Sequence, residues 1–163
     1  DPIIVSPDAG FVKTARKYSK CLGLSMAIAD KTRTSHDEDA HILDVMGDVK
    51  GKDAVIVDDF SVSGRTLINV AAELKARGAK SVRACLSHLL LNEDAVARLH
   101  DSPIEQLIGT DTVANKWVIG SKKIKVVSVA PLFAEAITRI HYRESVSALF
   151  DAVPGNVLKW LDI

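Results

Sequence analysis

The sequence predicts an α/β fold, a mostly parallel sheet flanked by helices on both faces. Three observations carry that prediction. Short apolar runs alternate with longer segments of helical period along most of the chain, the pattern of a parallel sheet wrapped by helices. One run, Ala54-Val55-Ile56-Val57, is continuously apolar between turns, which suits a central strand covered on both sides. Glycines follow the periodic segments at Gly23 and Gly78, where helices end. The right-handed crossover rule leaves few topologies open to such a chain.

The elements follow in order. Pro2–Ser6 is a β-branched run, and Pro7-Asp8-Ala9-Gly10 turns the chain after it. Phe11 to Leu22 reads as a helix closed by Gly23, and Ser25–Ala29 as a second strand. Lys31 to His41 is polar and aperiodic, so it reads as a mobile loop. Ile42–Val49 alternates loosely, like an edge strand. Gly51-Lys52 turns into the central run, which ends at Asp58-Asp59. Thr66 to Arg77 is an amphipathic helix through Leu67, Val70, Ala71 and Leu74. Ser81–Ser87, Ile104–Gly109 and Ile124–Val129 read as strands, Glu93–His100 as a helix, and Pro131–His141 as a helix with Pro at its start. From about Ser145 the pattern weakens. Phe150, Val153, Val157, Leu158, Trp160 and Leu161 form an apolar tail that is expected to pack on a segment outside this chain.

With 163 residues, the chain is expected to be one domain. Hydrophobic residues make up 47% and charged residues 26%, a globular composition that argues against disorder. Twenty-one Lys and Arg balance twenty-one Asp and Glu, so there is no general basic field to hold nucleic acid. No apolar run approaches the roughly 18 residues that a membrane span needs. Cys21 and Cys85 stand in no metal-ligand spacing and read as buried free thiols in a reducing cytoplasm. The chain begins at Asp1, directly ahead of a strand, and reads as a domain of a longer protein.

Ligands of open parallel sheets bind beyond the carboxyl ends of the strands. Three polar clusters fall at such ends: Asp8, the segment from Asp30 to His41, and Asp58 to Thr66. In the last, two adjacent carboxylates end a buried strand, and a loop of hydroxyls and glycine then opens a helix. Ser63, Gly64 and Thr66 can offer backbone N–H groups and hydroxyls to an anion there, and the helix dipole favours it. Asp58 and Asp59 beside that pocket suit sugar hydroxyls, directly or through a hard cation. The plainer alternative is a capped helix with two solvated aspartates, but paired acids ending a buried strand are costly without partners.

Elsewhere the plainer reading prevails. His36-Asp37-Glu38-Asp39-Ala40-His41 has metal-ligand types but no fixed geometry, and reads as a solvated acidic loop. Trp117 reads as packing. His88 faces either a nucleotide or a structural hydrogen bond.

The stretch from Val55 to Thr66 resembles the phosphoribosyl-diphosphate loop of the type I phosphoribosyltransferase fold, where two acids precede a Thr-Gly-Gly-Thr-like turn. Val5-Ser6-Pro7-Asp8-Ala9-Gly10, Asp30-Lys31-Thr32-Arg33, Gly47-Asp48-Val49-Lys50-Gly51-Lys52, Ser87-His88 and Ser128-Val129-Ala130-Pro131-Leu132 extend the likeness. Together they resemble the C-terminal half of the ribose-phosphate pyrophosphokinase family, in order and spacing from about Ile3 to Phe150.

The resemblance implies transfer of the diphosphoryl group of ATP to the anomeric hydroxyl of ribose 5-phosphate, with magnesium as cofactor, in the cytoplasm. It implies Asp8 as a magnesium-holding acid, and Lys31 and Arg33 as catalytic cations. Asp58 and Asp59 would hold the ribose hydroxyls, and Ser63, Gly64 and Thr66 the 5-phosphate; Ser61 and Arg65 of the same turn are expected to join in substrate binding. The family's N-terminal half, which supplies much of the ATP site, lies outside this chain. The chain alone is therefore expected to catalyse little, and the full-length protein to be a homo-oligomer. Two positions depart from the family: an acid is usual where Val62 stands, and a small residue where Arg65 stands. The rival readings are a phosphoribosyltransferase that consumes phosphoribosyl diphosphate, and a non-catalytic regulatory relative.

Overall fold

A computed structural model describes residues 1–33 and 41–159. Among these, seven strands share one sheet: β1 (Pro2–Ser6), β2 (Ser25–Arg33), β3 (His41–Met46), β4 (Asp53–Phe60), β5 (Ser81–His88), β6 (Gln106–Thr110) and β7 (Ile124–Val127). Their order across the sheet is β3-β2-β1-β4-β5-β6-β7. Every neighbouring pair is parallel except β2 and β3, which are antiparallel. The helices are α1 (Val12–Leu22), α2 (Arg65–Ala76), α3 (Glu93–His100), α4 (Ala130–His141) and two short ones, α5 (Ala148–Asp151) and α6 (Gly155–Leu158).

The two-residue period of the strands sorts their side chains between two cores. Ile3, Val5, Ala54 and Ile56 pack with Leu67, Val70, Ala71 and Leu74 of α2 and with Ala95 and Leu99 of α3. Ile4 and Val57 point the other way and pack with Ala15 of α1, backed by Phe11, Leu24 and Val55. The central run thus needs apolar residues at every position, as its composition predicts.

Several expectations need correction. Lys31 to Arg33 are not loop: their backbone continues β2 and pairs with β3, Lys31 opposite Leu43 and Arg33 opposite His41. A hairpin at the sheet edge satisfies the backbone through the ladder and leaves polar side chains tolerable, so polarity alone does not mark a loop there. Residues 34–40, with the acidic His-flanked run, lie outside the described residues. The edge is anchored by Arg77 beyond the end of α2. Its guanidinium meets Glu73 at 2.7 Å and Asp44 at 3.1 Å, and donates to the Val45 carbonyl at 3.0 Å.

Cys21 is exposed rather than buried, because it sits on the outer side of α1, while Cys85 is partly covered; both are free. The tail divides. Val157 of α6 is buried, and Asn156 donates to Glu135 of α4 at 3.1 Å, so this chain itself covers part of it. Phe150 stays 87% exposed. Helix α4 forms where its period places it but buries no residue, with Phe133, Ile137 and Ile140 facing outward.

Candidate functional site

The chain leaves β1 toward β2 on one side and returns through β4 on the other, so the strand order reverses between β1 and β4. Crevices at such switch points are where doubly wound sheets bind ligands. Val5 of β1 pairs with Ile56 of β4, which brings the carboxyl ends of both strands side by side. Asp8 follows the first of these ends, and Asp58 and Asp59 occupy the second.

Asp8 is exposed in the turn before α1. Its Oδ1 accepts the Phe11 N–H at 2.9 Å, and its carbonyl accepts the Ser6 hydroxyl at 2.8 Å. Asp58 Oδ1 accepts the Asp59 N–H at 2.9 Å, and Asp59 Oδ1 accepts the Phe60 N–H at 2.8 Å. Each of the three carboxylates is thereby oriented by one oxygen, and the Asp58 and Asp59 side chains also meet each other. Asp58 is half-buried, and that burial pushes its carboxyl up to about 6, with the neighbouring charges of Asp59 and Asp8 adding to the rise. Crowded negative charge at a strand end invites a cation or a hydroxyl-rich ligand.

The turn after β4 is arranged by glycine. Gly64 adopts φ 70°, a left-handed conformation that side-chain-bearing residues avoid, and it occupies the N-cap position of α2. No side chain caps this helix. The Gly64 N–H donates to Ser61 Oγ at 3.1 Å, and the Arg65 N–H approaches Ser63 Oγ at 3.5 Å. The backbone N–H groups of Ser63 and Thr66 have no hydrogen-bond partner among the described residues. An uncapped N-terminus of a 12-residue helix with spare donors is a natural anion site.

The structure thus brings together Asp8, Asp58 and Asp59 at the carboxyl ends of adjacent strands, with Ser61, Ser63, Gly64, Arg65 and Thr66 in the turn after β4. Arg65 is exposed at the first position of α2. Lys31 and Arg33 lie at the carboxyl end of β2, beyond its pairing with β1, which ends at Ile28. Their side chains lie outside what the structure describes. No group of three or more His, Cys, Asp or Glu converges on a metal position among the described residues. Magnesium does not require one. It keeps several waters and is commonly held by one or two carboxylates plus substrate phosphates. Asp8, oriented by Phe11 and facing the Asp58 charge, fits that use.

His88 resolves toward structure: its Nδ1 lies 2.7 Å from Thr112 Oγ1, in a network that reaches the Ser87 carbonyl and Thr110. Trp117 is 39% exposed, with the Lys116 ammonium 4.3 Å from its ring centroid, so it is less enclosed than a packing role predicts. Sequence reasoning missed two groups. Arg98 and the Asn92 backbone of α3 and its cap bind the carbonyls of Ser63 and Val62, at 2.9 and 3.1 Å. Asp111, at the carboxyl end of β6, accepts the Ser128 hydroxyl and the Val129 N–H, which hold its carboxyl below the usual range. An acid following a strand was a readable signal for Asp111. None marked Arg98.

A model of the phosphoribosyl synthetase-associated domain matches residues 34–151. The chain is 43% identical over 150 residues to the ribose-phosphate pyrophosphokinase of Thermosipho africanus, covering 92% of this chain and 46% of that protein. It is 45% identical over 152 residues to that of Aquifex aeolicus, covering 92% and 48%. In structure it superposes on the phosphoribosylpyrophosphate synthetase from Mycobacterium smegmatis with a TM-score of 0.76 and 32% identity, over 88% of this chain and 46% of that one. The chain spans about half the length of the curated relatives it matches. No helix among the described residues is long and apolar enough to cross a membrane.

Proposed function

We propose, for a chain that belongs to the phosphoribosyl synthetase-associated domain family, that it forms the sugar-phosphate half of a ribose-phosphate pyrophosphokinase. The observation that carries this reading is the pairing of Asp58 and Asp59 with the open N-terminus of α2. Spare N–H donors and hydroxyls at Ser63 to Thr66 take the 5-phosphate. The two carboxylates, one residue-turn away, accept from the ribose hydroxyls and fix the sugar so that its anomeric hydroxyl faces the Asp8 side of the crevice. Asp8 helps hold magnesium, which when bound neutralises the triphosphate of ATP. Lys31 and Arg33 add positive charge from β2. Phosphoryl transfer depends mainly on such positioning and charge neutralisation. Residues 1–163 act as one domain in this reading, which the single sheet supports, and the relatives' remaining length supplies the rest of the ATP site.

The test is titration of this chain with ribose 5-phosphate and with inorganic phosphate, followed by amide resonances. Both ligands are expected to move the resonances of Ser63 to Thr66. Ribose 5-phosphate is expected to bind more tightly, because only it reaches Asp58 and Asp59. Equal affinity for the two, or shifts elsewhere, would contradict the assignment.

One observation favours a second reading, that of a non-catalytic relative. By the resemblance, Arg65 and Val62 stand where the family usually has other residues, and both are exposed. Exposure also limits what Arg65 contributes, since a solvated cation is screened. Arg65→Gly is therefore expected to weaken ribose 5-phosphate binding by about 1 kcal/mol or less, read by calorimetric titration. A mutant that binds more tightly than wild type would favour the non-catalytic reading, because it would show Arg65 obstructing the pocket.

A further inference from the structure

We propose that Arg98 of α3 is a positioning residue that aims the 61–66 turn, holding the Ser63 carbonyl toward α3 and away from the anion that the turn's free N–H groups would bind. This rests on the reading of that turn as a phosphate site.

The argument starts from peptide planarity. In a trans peptide the C=O and the following N–H point in opposite directions, so fixing one aims the other. The Val62 carbonyl accepts the Asn92 N–H at 3.1 Å, and the Ser63 carbonyl accepts Arg98 Nη2 at 2.9 Å. Both carbonyls are therefore directed at α3 and its cap. The N–H groups of Ser63 and Gly64, which share those two peptide planes, point away from α3. That of Gly64 meets Ser61 Oγ, which ties the turn back on itself. That of Ser63 is left for a ligand.

Within the turn, only the bond from the Gly64 N–H to Ser61 Oγ opposes a flip of this peptide. Gly64 has φ 70°, and glycine accepts either sign of φ, so the Ser63–Gly64 peptide can flip at little intrinsic cost. A flipped plane would present the Ser63 carbonyl oxygen to the anion and repel it. The clamp from α3 prevents this. Its base is rigid: the Asn92 side chain caps α3 by accepting the Ala95 N–H at 2.9 Å, and Ala95 is fully buried. A Cβ placed on Gly64 would lie 3.7 Å from the Ala95 methyl, so helix and turn are already in close approach.

Arg98 also carries a cost. Its Nε is buried and has no hydrogen-bond partner among the described residues. A buried unsatisfied donor is destabilising, and stability alone would favour an apolar side chain here. The hydrogen bond to the Ser63 carbonyl is what a guanidinium supplies here and an apolar side chain does not.

The experiment compares the wild-type chain with R98M, which keeps the stem without a donor, and R98K, which keeps a donating cation. R98M is expected to weaken ribose 5-phosphate binding about tenfold, the size of one hydrogen bond to a charged group. It is also expected to shift the ligand-free amide resonances of Ser63 and Gly64 while leaving those around Asp8 in place. R98K is expected to recover most of the affinity. A merely structural role would lower thermal stability without moving those two resonances selectively. R98M that binds like wild type, resonances that do not move, or R98K no better than R98M would each overturn the proposal. If R98M does not fold, R98Q, which keeps one amide donor, is read by the same resonances. A wild-type chain that binds neither inorganic phosphate nor ribose 5-phosphate would overturn the phosphate-site reading instead. The Ser63 and Gly64 resonances in R98M would then still decide whether Arg98 aims the turn.

Discussion

Replacing Asp58 and Asp59 together by Asn is expected to weaken ribose 5-phosphate binding by at least about a hundredfold. Each carboxylate offers a charge-assisted acceptor worth about 1.5–3 kcal/mol to a sugar hydroxyl, and neighbours of this kind add imperfectly. The fold has little reason to suffer. Asp58 Oδ1 and Asp59 Oδ1 accept backbone N–H groups, and an Asn oxygen can do the same. What disappears is the charge on the oxygens that face the ligand. Inorganic phosphate supplies the control. It touches the turn but not the carboxylates, so the double mutant should bind it at least as well as wild type, helped by the loss of two nearby negative charges. Calorimetric titration with both ligands reads the contrast. If both affinities fall together, the mutations have disturbed the turn itself. If neither falls, Asp58 and Asp59 do not hold the sugar.

The parts of this site that were legible in the sequence are those built from local rules. The run Ala54 to Val57, the two acids after it and the Ser-Gly turn into α2 lie within a dozen residues, where period and turn chemistry suffice. The sheet followed from the same periodicity. What escaped is what depends on partners remote in sequence. Arg98 reaches Ser63 across 35 positions, and nothing in the pattern of α3 separates it from any exposed arginine. The hairpin of β2 and β3 was hidden because edge strands need no apolar period, and pairing alone turned Lys31 to Arg33 into strand. The amphipathic pattern of α4 announced a helix but could not say that its apolar face would find no cover within this chain.

Asp58→Asn alone is expected to make the folded chain more stable at pH 7 than wild type, by roughly 1–2 kcal/mol, while costing it ligand affinity. The Asp58 carboxyl sits at about 6 in the folded protein against an ordinary value of 3.8. Below about pH 4 it is protonated in both folded and unfolded chains and favours neither. Between these values the folded chain keeps the proton and the unfolded chain has lost it, so each step up in pH favours unfolding. The stability held below pH 4 is therefore lost as pH rises toward 6, and it stays lost at 7. At 1.36 kcal/mol per pH unit, the span bounds the effect at about 3 kcal/mol. A half-buried carboxylate is screened by solvent, which brings it down to the smaller figure. Asp111 works in the opposite direction, since its lowered value adds stability that acid removes, so the wild-type profile mixes both signs. The difference between wild type and Asp58→Asn isolates one group. In urea unfolding it should be near zero at pH 4 and should grow in the mutant's favour up to pH 7. A difference independent of pH would show that Asp58 is not held in this strained state. Millimolar magnesium should shrink the mutant's advantage at pH 7, because a bound cation relieves the charge that Asp58 shares with Asp59 and Asp8. The buried, crowded charge that costs stability in the free protein is what a cation or a sugar would relieve on binding.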